Sequence, residues 1–169
     1  MKQLQIGVIG SAQDLGYSEQ TIKIAKELGT EIGKTGCVLV FGLESDCDSL
    51  SNIVAREAKK WDTMTVGFCG NKGEEVYENT ADVIVRTGMI VGGGRELPLV
   101  LSCDVVIAIG GGSGTLTEMA IAYQANIPII AIEGTGGWAD KAKDTYLDDR
   151  KRVKVLVAKT AKEAVSLVI

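Results

Sequence analysis

Short apolar runs alternate with stretches of helical spacing along the whole chain. Runs rich in Val and Ile predict strands over 4–10, 37–41, 64–69, 82–86, 104–109, 128–132 and 153–157. Several are apolar at successive positions instead of alternating, the pattern of a parallel sheet covered on both faces. Ile22, Ala25, Leu28 and Ile32 recur at three- and four-residue steps and predict a helix over 18–34, begun at Ser18 and stopped at Gly36. Leu50, Ile53, Val54 and Ala58 repeat the pattern over 48–61. Further helices are predicted over 115–124, 138–147 and 160–167. Pro98 makes 96–102 a short helix or a broken turn. The sum is an α/β fold: a doubly wound, mostly parallel sheet of six or seven strands with helices on both faces, Rossmann-like, expected as one domain over 1–169.

A ligand of such a sheet sits beyond the carboxyl ends of the strands. The loops to inspect are therefore 10–16, 42–48, 87–95 and 110–114. The last is the most informative. An apolar run ends at Gly110-Gly111-Gly112, and Ser113-Gly114-Thr115 leads into a helix that carries Glu118. Glycine lets a phosphate approach backbone N–H groups at a helix start, and Ser113 and Thr115 add hydroxyls that also suit an N-cap. The spacing is not that of a dinucleotide fingerprint, since the second strand ends Val40-Phe41-Gly42 without an acidic residue. No Gly-Lys-Ser/Thr follows, so it is not a P-loop either. Glu118 has two readings. It can complement the helix dipole and close a capping box with Thr115. It can also face the sugar of a bound nucleotide, holding a hydroxyl or supporting positive charge. Arg95 follows Gly92-Gly93-Gly94 and can offer its planar fork to a phosphate or carboxylate.

Composition narrows the chemistry. The chain has no histidine, so a Ser-His-Asp or Cys-His centre within one chain is excluded, and proton transfer would fall to Glu, Asp, Lys, Tyr or Cys. A net charge of −4 without a long basic run speaks against nucleic acid as a partner. No window is apolar enough to span a membrane, and the run 4–10 is too short and too polar for a signal peptide. Cys37, Cys47, Cys69 and Cys103 form no CxxC pair; free thiols, mostly buried, in a cytoplasmic protein are expected, with no metal site. Glu44, Asp46 and Asp48 place three carboxylates in one loop, where they would repel a phosphate, hold a cation or simply be solvated. Trp138 could stack on a ring or serve packing.

The residues Gly110 to Glu118 resemble the Pro-Gly-Gly-x-Gly-Thr-x-x-Glu motif of a known family, with Gly110 in place of the proline. This is the family once called possible lysine decarboxylases, whose characterised members are the LOG proteins, cytokinin-activating phosphoribohydrolases. Arg95 precedes Asp104 by the family's nine residues, and Val8-Ile9-Gly10-Ser11, Tyr17, Leu28-Gly29 and Gly36 are similar too. The resemblance implies that Arg95 and Glu118 act on nucleoside 5′-monophosphates. It also implies that Gly10, Ser11, Gly42, Gly110, Gly111, Gly112, Ser113, Gly114 and Thr115 hold the phosphorylated ligand, and that the protein is a homo-oligomer, a dimer or tetramer. Two departures stand out. The glycine-rich turn of the family after its second strand is replaced by Gly42-Leu43-Glu44-Ser45-Asp46-Cys47-Asp48, and the family's Met-His-x-Arg-Lys is absent around Arg95. The chain looks nearer to a branch that includes molybdenum cofactor carrier proteins.

The resulting expectation is a carrier or sensor that binds a nucleotide or a molybdopterin-like phosphorylated molecule without chemistry. Two alternatives stay open: a phosphoribohydrolase working through Arg95 and Glu118, and an oligomeric structural protein.

Overall fold

The computed structural model describes residues 3–70, 76, 80–89 and 94–169. Seven strands lie within two residues of the predicted ones: β1 (Gln5–Gly10), β2 (Val38–Gly42), β3 (Thr65–Cys69), β4 (Val83–Arg86), β5 (Val105–Ile109), β6 (Ile129–Ile132) and β7 (Val155–Ala158). They form one sheet in the order β4-β3-β2-β1-β5-β6-β7, and every adjacent pair is parallel. The helices are α1 (Glu19–Gly33), α2 (Leu50–Lys59), α3 (Glu96–Leu101), α4 (Ser113–Gln124), α5 (Gly137–Ala142) and α6 (Ala161–Ser166).

The uninterrupted apolar strands are explained by the two cores. Successive strand residues point to opposite faces. Ile6, Val8, Phe41 and Ile107 pack with Leu28 of α1, Val54 of α2 and Ala164 of α6. Ile9, Val40, Val106 and Ala108 pack with Leu99 of α3, Met119 of α4 and Ala139 of α5. Helices on both faces cover the central strands, so no polar alternation is needed there, while the edge strands β4 and β7 expose Val83 and Leu156. Where α1 crosses α2, a side chain at Gly29 would meet the Val54 carbonyl at 2.4 Å, so only glycine allows that approach.

Helix ends follow local chemistry. Ser18 caps α1 by accepting from the Thr21 amide, and the chain leaves α1 through Gly36 at φ +71. Pro98 is tolerated within α3 because it sits in the first turn, where its missing N–H has no helical partner to lose. Two expectations are corrected. The helix predicted over 138–147 ends at Ala142, because Asp144 donates its amide to the Val155 carbonyl and Val155 donates to that of Thr145, drawing the chain toward β7. The helix predicted from Thr115 starts at Ser113; its N-cap is Gly112, with no side-chain cap.

The loop after β1 leads to α1 on one face, and the loop after the adjacent β5 leads to α4 on the other. Their divergence opens a crevice at the switch point of the sheet.

Candidate functional site

The glycine loop that follows β5 is divided into a wired half and an open half. Gly110 and Gly111 adopt left-handed φ values of +64 and +102. The Gly110 amide donates to Thr135 Oγ1 at 2.9 Å and the Gly111 amide to Ser11 Oγ at 2.7 Å. Their carbonyls accept from the Ala139 and Trp138 amides, both at 2.9 Å. Beyond them, the amides of Gly112, Ser113, Gly114 and Thr115 make no hydrogen bond to the protein among the described residues. These are the orphan donors of a helix start, where the backbone dipoles favour an anion. Ser113 and Gly114 are exposed, and no atom lies within 4 Å of where a Gly114 side chain would begin.

The open half forms one wall of a cavity of about 460 Å³. Gly10 at the end of β1, Gly42 at the end of β2 and Glu44 to Cys47 form the far side; Arg95, Glu96 and Glu118 also line it. Arg95 is 4% exposed. It donates from Nη1 to the Leu43 carbonyl at 2.9 Å and from Nη2 to Glu44 Oε1 at 3.1 Å, with Glu96 Oε1 at 3.7 Å. Its Nε is buried and has no partner among the described residues. Burial opposes the guanidinium charge, but Glu44, Glu118 and Glu96 outweigh it and raise the pKa.

Glu118 is carried by α4. It is 7% exposed, lines the cavity, and makes no hydrogen bond to a described residue. Burial pushes its carboxyl up to about 8; Arg95 pulls it back only in part, and Glu96 and Glu44 add to the rise. Glu118 therefore holds a proton over most of the neutral range. No capping box with Thr115 forms. Instead the Thr115 side chain packs under Gly111, where an added Cβ would stand 2.4 Å from it. Cys103 lies close by, its thiol pushed up to about 12 by burial and then by Glu118 and Asp104, which leaves it unreactive.

The sequence reading brought Arg95 and Glu118 together, and both do line the same cavity as residues 112–115. Arg95, however, spends its hydrogen bonds on Leu43 and Glu44. Gly10, Gly42, Gly112, Ser113, Gly114 and Thr115 line this cavity, whereas Ser11 and Gly111 line a second one, and Gly110 lies behind the loop. Gly92 and Gly93 lie outside the described residues. The acidic loop is largely neutralised: Glu44 pairs with Arg95, and Asp48 pairs with Arg56 while accepting from the Ser49 amide and Asn52 Nδ2. Among the described residues no three acidic or cysteine side chains are arranged to hold a metal ion. Trp138 does not line either cavity; it packs on the core with the Lys141 ammonium 5.2 Å from its ring centre. Sequence reasoning missed Glu96, Asp14, Leu15 and Ser51 as lining residues. Glu96, adjacent to Arg95 in an otherwise apolar helix, was the legible signal. The four cysteines are free, and no helix among the described residues is long and apolar enough to cross a membrane.

A fully parallel sheet with a glycine loop and open helix amides at its switch point defines a Rossmann-like protein. Within that class, the chain belongs to the SLOG cluster4 family, whose model matches residues 3–165. An uncharacterised protein of Archaeoglobus fulgidus is 34% identical over 140 residues, 79% of this chain and 87% of its own length. Among solved structures, the molybdenum cofactor binding protein of Rippkaea orientalis has a TM-score of 0.81 at 26% identity, covering 99% of this chain and 96% of its own. The molybdenum cofactor carrier protein of Chlamydomonas reinhardtii has a TM-score of 0.81 at 28% identity with the same coverage.

Proposed function

We propose that this chain binds a small phosphorylated, cofactor-like molecule and carries it unchanged. The phosphate rests on the amides of residues 112–115, and the rest of the molecule extends toward Arg95 and Glu118. A phosphorylated pterin of the molybdenum cofactor type is the favoured cargo, by analogy with the binding and carrier proteins of similar structure. The residues suit such a cargo: open backbone donors for its phosphate, and Glu118 as a buried polar group without a protein partner.

One observation carries the carrier reading over the hydrolytic one. Loss of a base from ribose 5-phosphate builds positive charge on the sugar, and an ionised carboxylate would have to meet it. Here Arg95 is turned to the Leu43 carbonyl and Glu44 instead of pairing with Glu118 or standing free for a phosphate, and burial disfavours the ionised form of Glu118. The hydrolase reading keeps its own support, since Arg95 and Glu118 share a cavity with the open amides. Mass spectrometry of small molecules released from the purified protein tests the proposal. A phosphorylated compound retained in proportion to the protein is expected. Free base appearing on incubation with AMP, GMP, CMP or IMP would overturn the carrier reading in favour of the hydrolase.

A further inference from the structure

A second cavity of about 440 Å³ opens on the other side of the same glycine loop, lined among others by Ser11, Tyr17, Thr21, Thr135 and Gly136. Leu15 and Gly112 line both cavities. Resting on the reading above, we infer that the ligand is two-lobed: two ring-bearing halves joined through phosphate, one in each cavity, with the phosphate linkage over the open amides.

Four observations lead there. Both cavities meet at the switch point between β1 and β5: the first extends from the loops after these strands over the end of β2, and the second from the same two loops toward the loop after β6. In doubly wound sheets this is the crevice that a dinucleotide spans, one half to each side. Each cavity alone lies near the lower end of the roughly 300–1,000 Å³ of small-ligand sites, and the two joined approach its upper end. Their chemistry differs as two halves of one molecule would require. The first cavity is lined by Asp14, Glu44, Asp46, Glu96 and Glu118 with Arg95, so away from the open amides it suits a half rich in N–H or O–H donors. Among the described residues no charged side chain lines the second, where hydroxyls and glycines suit a neutral sugar or ring.

The passage between them is built from two residues. Leu15 is 56% exposed and lies across Gly112, where an added Cβ would stand 2.7 Å from Leu15 Cδ1. A ligand threading from one cavity to the other would cover that leucine and run past the amides of residues 112–115. Ser11 accepts from Gly111 through Oγ, which leaves its own proton to donate into the second cavity.

Calorimetric titration of the full chain separates a one-lobed from a two-lobed ligand. The probes are GMP, GDP and diguanosine 5′,5′-diphosphate, with AMP, ADP and diadenosine 5′,5′-diphosphate as a parallel series. GDP and ADP control for the added phosphate. The dinucleoside diphosphate of at least one series is expected to bind about tenfold or more tighter than its nucleoside diphosphate, because the second half binds within the same complex. Tyr17→Ala should collapse that ratio, and Tyr17→Phe should keep most of it. A dinucleoside diphosphate that gains nothing over GDP or ADP in either series, while these still bind, overturns the two-lobed ligand and leaves the phosphate site standing. A ratio unmoved by Tyr17→Ala overturns the placement of the second half. If no probe of either series binds, this inference falls, while the phosphate site is judged separately by the small molecules released from the purified protein.

Discussion

Two polar regions, one around Asp48 and one around Arg95 in the first cavity, are built on opposite plans. Around Asp48 polar groups find partners: Arg56 meets its Oδ2, the Ser49 amide and Asn52 Nδ2 meet its Oδ1, and Asn52 in turn accepts from Thr80. The Asp48 backbone also holds the loop after β1, its carbonyl accepting from the Gln13 amide at 2.8 Å. On the floor, Arg95 answers three carboxylates with one charge, its Nε is orphaned, and Glu118 bonds to no described protein group. A buried group left unsatisfied costs stability, so a protein keeps one only where something else meets it. The first region is scaffold. The second is where the proposed ligand would meet the protein.

The sharpest way to break that comparison is to remove Arg95, the cation among the described residues of the floor. Arg95→Met leaves Glu44, Glu96 and Glu118 facing one another in a buried space. The loss expected from stripping a buried charge of its partner is about 3–5 kcal/mol, read by denaturant unfolding at pH 8. At pH 5 the loss shrinks, because Glu118 then holds its proton and adds no charge to the cluster. A loss equal at both pH values would mean that Arg95 matters for packing alone.

Glu118→Gln comes next, and its sign is opposite. The folded-state pKa of about 8 stands above the ordinary 4.5 of the carboxyl, so between these values the folded chain keeps a proton that the unfolded chain gives up. The stability this proton confers is complete below about pH 4.5 and is lost as pH rises through about 8. Glutamine escapes that loss. The variant should match the parent near pH 4 and exceed it by a few kcal/mol at pH 8. Parallel stability curves would show that Glu118 is solvated after all. Asp48→Ala should lose about 2 kcal/mol, with little change between pH 6 and 8, since it removes a satisfied acceptor of three donors.

Much of this division could not be read from the chain. The strands were legible because apolar runs of this length have one way to be buried on two faces, and Ser18 announced its cap within three residues of the amide that it binds. The glycine loop was legible as a tight strand-to-helix turn at the switch point, since four glycines in five positions mark a chain that needs unusual dihedrals. What escaped was everything set by distant partners. Glu44 lies 51 positions from Arg95, and the loop that seemed hostile to phosphate proves to be the counterion of the arginine. Gly111 is held by Ser11, 100 residues away, so the loop splits into a fixed and an open half that spacing alone does not reveal. The overlong helix at 138–147 failed for the same reason: the Val155 carbonyl that ends it belongs to another strand.

Ser49→Ala gives the smallest effect and tests the scaffold side most cleanly. Ser49 Oγ accepts from the Asn52 amide at 3.1 Å and meets Ser51 Oγ at 3.0 Å, which caps α2 directly beside Asp48. Losing a serine cap costs about 1 kcal/mol. Ser49 lines neither cavity, so that loss should appear in thermal unfolding while the affinity for a phosphorylated probe such as GDP stays put. Glu118→Gln should do the reverse, gaining stability at pH 8 while changing affinity. If Ser49→Ala weakens binding as much as it weakens folding, cap and cavity act as one unit. The open amides would then depend on the rim for their shape, and scaffold and site could no longer be told apart.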